Sequence, residues 1–262
     1  MKFCSLSSGS SGNCEYIEHK DTRILIDAGL SGKKIESLLE SIDVNIKSID
    51  AIFVTHEHID HVKGVGVLAR RHNLKVLANQ NTFYNMLNTT KDIESENVFF
   101  FENEKGFDFK DIHIEPINSF HDCSKGSCFT FSADNKKISL VTDTGFVDTN
   151  IMEKINESDL YFLEANHDKD MLMQGSYPWS LKQRILSNRG HLSNEAASNI
   201  LSQLLKRKKE IVMLAHLSQD NNLPYLATRT VRDMLLNKNI QEGTDYILEV
   251  ARRECASEIY TL

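Results

Sequence analysis

Ala51-Ile52-Phe53-Val54-Thr55-His56-Glu57-His58-Ile59-Asp60-His61 passes from a short apolar run into a loop dense in metal-binding groups. The run at 51–54 reads as a buried strand. Behind it, His56, His58, Asp60 and His61 put four potential ligands into six residues. In an extended or loop backbone, side chains at 56, 58 and 60 project to one side while a turn aims His61 elsewhere. Such a display suits two neighbouring metal ions better than one. Ten histidines scattered through 262 residues would seldom crowd in this way at the end of a strand, so a merely polar loop is the weaker reading.

Imidazole and carboxylate ligands suit zinc, manganese, iron or nickel, and the segment does not offer the cysteine-rich set of a closed structural site. A catalytic centre needs further ligands from elsewhere in the chain. Three polar residues follow other strand-like runs: His121 after 112–117, Asp143 after 139–142, and His216 after 211–215. Taken singly, each could be a turn former or a helix cap. Jointly they would complete two metal sites.

Bulk properties agree with an ordinary folded protein. Hydrophobic residues make up 40% and charged residues 26%, with three prolines and twelve glycines, which is globular composition. An α/β chain of this length can be one domain, so residues 1–262 are read as a single domain. The N-terminus lacks the apolar core of a secretory signal, and runs such as Ile211 to Ala215 are far too short to span a bilayer, which points to a cytoplasmic protein with no membrane partner. The five cysteines are odd in number and scattered, which favours reduced thiols; Cys123 and Cys128, separated by four residues and with no CxxC elsewhere, make a poor zinc site. A formal charge of −7 supplies no global attraction for nucleic acid, so a polyanionic substrate must be held by local charge, and bound metal ions would provide it.

Apolar stretches of four to six residues ending at short loops, each followed by a helical period, indicate α/β layering. Strands are expected at 15–17 and 23–27 as a hairpin, and at 51–55, 75–78, 112–117, 127–133, 137–142, 160–165, 211–215 and 246–251. Helices are expected at 33–41, 65–71, 178–187, 194–205 and 228–237.

The order His56-x-His58-x-Asp60-His61, then His121, Asp143 and His216, resembles the dinuclear metallo-β-lactamase superfamily. That resemblance implies a four-layer αβ/βα sandwich, with His56, His58 and His121 on one divalent ion, Asp60, His61 and His216 on the other, and Asp143 bridging both. Leu163-Glu164-Ala165-Asn166-His167-Asp168, Gly190-His191-Leu192-Ser193-Asn194 and Leu214-Ala215-His216-Leu217-Ser218 are similar to elements of the tRNA 3′-processing nucleases and related phosphodiesterases. By that likeness His191 protonates the leaving oxygen or holds the phosphate, and Glu164 orients it. A bland alternative makes His191 a polar residue at a helix start beside Ser193. Ser7-Ser8-Gly9-Ser10-Ser11-Gly12-Asn13-Cys14 and Tyr177-Pro178-Trp179-Ser180-Leu181-Lys182-Gln183-Arg184-Ile185 make the chain resemble the bacterial YycJ/WalJ branch, regarded as 5′-to-3′ DNA exonucleases.

These residues imply a metal-dependent phosphodiesterase acting on nucleic acid, most readily DNA. The metals, zinc or manganese first and iron or nickel next, would lower the pKa of a bridging water, and Asp60 and Asp143 would keep the resulting hydroxide placed for attack on phosphorus. Two rivals stand beside it: hydrolysis of a thioester, lactone or other small ester on the same metals, and a non-catalytic metal-binding regulatory partner. Loop 7–13 either brings backbone amides to a metal or phosphate or is a simple turn. Lys182, Arg184 and Arg189 could grip a substrate backbone, at most two of them facing one cleft. Trp179 could stack on a base, although a core position is preferred. His167 and Asp168 could support the ligands from behind. The basic run 206–209 reads chiefly as a solvated helix end, and His19, His72 and His113 as incidental. Oligomeric state is not legible.

Overall fold

The computed structural model describes residues 1–262, and the chain divides into two compact units: 1–116 with 123–127 and 252–262, and 117–122 with 128–251. The first holds β1 (Lys2–Ser7), β2 (Cys14–His19), β3 (Thr22–Ile26), α1 (Gly32–Glu40), β4 (Ala51–Phe53), α2 (Ile59–Val62), α3 (Val65–His72), β5 (Lys75–Asn79), α4 (Gln80–Thr90), β6 (Val98–Phe101), β7 (Phe107–Phe109), β8 (Ile112–Asn118) as far as Pro116, and the last strand, β14 (Tyr260–Thr261). Its sheet runs β14-β1-β2-β3-β4-β5-β6. The pairs from β14 to β3 are antiparallel and those from β3 to β6 are parallel. At its edge the two chain ends meet: Lys2 faces Thr261, and the Leu262 amide donates to the Met1 carbonyl at 2.9 Å.

The second unit carries β9 (Ser127–Ala133), β10 (Lys136–Val141), α5 (Thr149–Ile155), β11 (Leu160–Glu164), α6 (Lys169–Gln174), α7 (Trp179–Ile185), α8 (Asn194–Leu204), β12 (Glu210–Ala215), α9 (Pro224–Leu236) and β13 (Tyr246–Val250). Strands β10 to β13 pair parallel, and β9 pairs antiparallel with β10. Strand β12 lies between two parallel neighbours with every residue buried, which is why 211–215 reads as an unbroken apolar run instead of alternating.

Each unit has its own hydrophobic core. Ile35, Leu38 and Leu39 of α1 pack with Leu25, Ile52 and Val76 in the first, and Ala197, Leu201 and Leu204 of α8 with Leu163, Val212 and Leu214 in the second. Local chemistry sets the helix limits. Ser31 caps α1 by accepting from Lys34 N, Ser193 caps α8 by accepting from Ala196 N, and Pro224 opens α9 where its missing N–H costs nothing. Two mixed β-sheets flanked by helices agree with the expected α/β sandwich.

Two local expectations change. The residues after β4 do not stay extended: His58 is the N-cap of α2, and Asp60 and His61 lie within that short helix. Trp179 is 58% exposed at the start of α7, which overturns its reading as core.

Candidate metal centre

The predicted residues gather in two clusters, one per unit, both at the carboxyl ends of parallel strands. This is where an α/β sheet presents loop residues to ligands.

In the first unit, His56 Nε2 and His58 Nδ1 lie 3.1 Å apart, and His61 Nε2 and Asp60 Oδ2 3.6 Å apart. The His61 ring is tilted against the His56 ring with centroids 4.0 Å apart, so the turn brings His61 back to its neighbours instead of aiming it away. The residue that orients it is Asp27, immediately after β3. Asp27 Oδ2 accepts from His61 Nδ1 at 2.6 Å and from Thr55 Oγ1 at 2.7 Å, while Oδ1 accepts from the Thr55 amide at 2.8 Å. A carboxylate on Nδ1 fixes the tautomer and leaves the Nε2 lone pair for a cation. Burial pushes the Asp27 carboxyl above its ordinary value, against the opposing effect of His61 and Thr55. Asn13 completes the arrangement: its Oδ1 accepts from the Gly9 amide, and its Nδ2 lies 3.0 Å from His61 Nε2. Loop 7–13 therefore reaches this cluster through one side chain. Close approach here requires Gly29, whose added Cβ would stand 1.7 Å from the Asp60 carbonyl.

In the second unit, His121, Asp143, Glu164, His191 and His216 converge. Asp143 Oδ1 is 3.7 Å from His121 Nε2 and 3.6 Å from His216 Nε2. Glu164 is wholly buried, and its Oε1 meets His191 Nδ1 at 2.6 Å and His216 Nδ1 at 3.1 Å. Its Oε2 accepts the amides of Thr144 at 3.2 Å and Leu192 at 3.3 Å. Burial alone would raise the Glu164 carboxyl, but the charge of His191 and hydrogen bonds from both imidazoles hold it below the carboxylate range. Reciprocally, burial opposes protonation of His191, yet Glu164 raises it above its ordinary value. Burial lowers His121, whose Nδ1 donates to the Gly190 carbonyl at 3.2 Å. Asp143 and His216 adopt left-handed backbone conformations, φ 54° and 52°, as does Asp27 at 60°. For non-glycine residues such conformations cost energy and cluster at functional sites.

These donor sets fit divalent cations. Atoms held about 2.0–2.2 Å from a shared zinc ion stand roughly 3.3–3.6 Å apart, close to the spacings found inside each cluster. In His61, His121 and His216 alike, Nδ1 is engaged by an oxygen acceptor while Nε2 faces a carboxylate partner. Within the second unit, ligand atoms of Asp143, Glu164, His191 and His216 all lie within 4.8 Å of one another.

Other expectations resolve individually. Ser193, not His191, caps α8, and Asp168 caps α6 by accepting from Met171 N. His167 is 1% exposed, and burial pushes it down to about 4. Lys182 is buried and donates to the carbonyls of Met173 and Gly175 at 2.7 Å, so it holds a turn. Arg184 pairs with Asp122, and Arg189 turns to the His121 carbonyl. Asp27 and Asp122, whose Oδ1 is 3.2 Å from His121 Nε2, went unread in the sequence. An aspartate at the end of an expected strand and one directly after a predicted ligand were the available signals.

Residues 22–217 match the Beta-lactamase superfamily domain. The chain is 42% identical to the exodeoxyribonuclease WalJ of Streptococcus pneumoniae, across 94% of this chain and 92% of that protein. It is 39% identical to the exodeoxyribonuclease YycJ of Bacillus anthracis, across 93% and 92%. Among solved structures, the metallo-β-lactamase fold protein YhfI of Bacillus subtilis superimposes with a TM-score of 0.73 at 12% identity, covering 98% of each chain. The chain thus belongs to the β-lactamase superfamily, in the family of the WalJ and YycJ proteins.

Proposed function

We propose that this protein is a metal-dependent phosphodiesterase acting as a 5′-to-3′ exonuclease on DNA, with two divalent ions, zinc or manganese, held by His56, His58 and His121 and by Asp60, His61 and His216, Asp143 serving both. One observation carries the reading: the Glu164–His191 pair at 2.6 Å, beside a cluster whose chemistry suits cations. Expelling a thiolate from a thioester does not require such a pair, whereas expelling an alkoxide from phosphorus needs a proton or a positive charge at the leaving oxygen. The names of the relatives support DNA as the substrate, and a DNA substrate in turn supports a cytoplasmic site of work. No helix is long and apolar enough to cross a membrane.

Bound cations would supply a hydroxide near neutral pH and offset phosphate charge. The protein's own residues do the remainder. Glu164 keeps His191 charged and aimed, with its side chain 20% exposed, so that the imidazolium can give its proton to the departing oxygen. Asp60 and Asp143 would offset part of the cations' charge and keep that hydroxide placed for attack on phosphorus. A locally cationic centre lets a protein of net charge −7 receive a polyanion.

The test is digestion of 5′- and 3′-end-labelled DNA and RNA by the chelated protein reloaded with manganese or zinc. DNA shortened from its 5′ end, with Asp143→Ala folded and inert, is the expected result. Turnover confined to nitrocefin or a thioester would replace this reading with a small-ester hydrolase, and no turnover on any ester would leave a metal-binding scaffold.

A further inference from the structure

The turn from Ser187 to His191 serves two site residues at once. Arg189 Nε and Nη2 donate to a single atom, the His121 main-chain carbonyl, at 3.0 and 2.9 Å. The carbonyl of Gly190 accepts from His121 Nδ1 at 3.2 Å, and residue 191 is the imidazole bound to Glu164. A carbonyl can only accept, so Nδ1 of His121 carries the hydrogen and Nε2 keeps the lone pair that a cation binds. The turn has no slack. Gly190 N donates to Ser187 O at 2.9 Å and His191 N to Ile185 O at 3.0 Å. A Cβ on Gly190 would stand 2.1 Å from the Ile185 carbonyl and 2.3 Å from that of Arg184.

We propose that Arg189 is a positioning residue and not a grip on substrate: its guanidinium fixes the His121 main chain, so that Gly190 can fix the His121 ring and one turn sets ligand and proton donor together. The inference rests on His121 being a metal ligand, as proposed above. Arginine is suited to this because its rigid fork places two N–H groups on one oxygen, whereas lysine offers a single mobile point charge.

Two readouts test it without using turnover. In the metal-free protein, long-range 1H–15N spectra taken above the histidine titration range should show His121 with hydrogen chiefly on Nδ1, against the pull of Asp122 Oδ1 at 3.2 Å from Nε2. Arg189→Gln should show a mixture of tautomers and bind cobalt(II) at one ion about 10-fold more weakly, as loss of a ligand's support generally does, and Arg189→Lys should fall between. If the glutamine variant does not fold, the lysine variant decides by the same two signals. Wild-type ring signals with wild-type cobalt affinity would overturn the proposal, and so would a rise in KM for DNA with both signals unmoved, because that marks a substrate contact. Should His121→Ala leave cobalt stoichiometry intact, the ligand reading fails, while the tautomer signals still decide what Arg189 does.

Discussion

Two imidazoles share the Glu164 carboxylate, and they divide its work: His191 is held charged, and His216 is turned so that Nε2 faces Asp143. Removing the proton donor should therefore cost rate without costing metal. His191→Ala is expected to lower kcat on DNA by about 10²–10⁴-fold with an unchanged metal content by elemental analysis; full activity would remove the acid role. Asp27 makes the opposite prediction. Asp27→Asn cannot supply the same charge to His61 Nδ1, so metal affinity should fall by roughly 10–100-fold, which competition with a coloured chelator would read. The contrast shows what a sequence can reveal about a site. His56, His58, Asp60 and His61 are legible because they crowd one segment, and His121, Asp143 and His216 because each follows a strand. Asp27 is isolated in sequence, and only the parallel pairing of β3 with β4 brings it under His61.

At the scale of the element, the strands that carry the clusters are among the most deeply buried parts of the chain. Leu214 of β12 is fully buried in the core that holds α8, so Leu214→Ala should cost about 2–5 kcal/mol, visible as a lowered denaturation midpoint. A loss below 1 kcal/mol would mean that the site tolerates collapse. Such strands announce themselves as apolar runs, and β4, β5, β10, β11 and β12 fall where their composition puts them. Other elements are silent for physical reasons. Strand β1 carries Ser5 and Ser7 at buried positions, where Ser7 is satisfied by the Gly12 and Arg253 carbonyls, so its sequence looks polar. Strand β7 is three residues with Asp108 at its centre, too short for a period to appear, whereas β6 is itself a four-residue apolar run that is legible and is absent from the expected strands. Helix α2 is one turn held by His58 and Ile59 carbonyls, and no periodicity can announce a single turn.

For the molecule as a whole, stability should respond to both protons and metal. His167 is held at about 4 by burial, below its ordinary value near 6.5. Above about pH 6.5 it is neutral folded and unfolded. As pH falls from there toward 4, the unfolded chain binds a proton that the folded one refuses, so stability is lost, by about 3 kcal/mol at most. Acid titration of unfolding should be shallower in His167→Gln than in the wild type; parallel curves would show that His167 titrates normally. Metal binding acts in the other direction: at 100 times its dissociation constant an ion bound only by the folded state adds about 2.7 kcal/mol, so chelation should lower the thermal midpoint and reloading restore it.

The antiparallel contact of β1 with β14 has a practical corollary. Because the Leu262 amide already bonds the Met1 carbonyl, a linker of a few residues could splice tail to head without disturbing either strand. New ends could then be opened at Gly243, where the turn is exposed and an added Cβ meets nothing within 4 Å. Such a permuted chain should give the parent's circular dichroism spectrum, and would move any purification tag away from the β14–β1 pair.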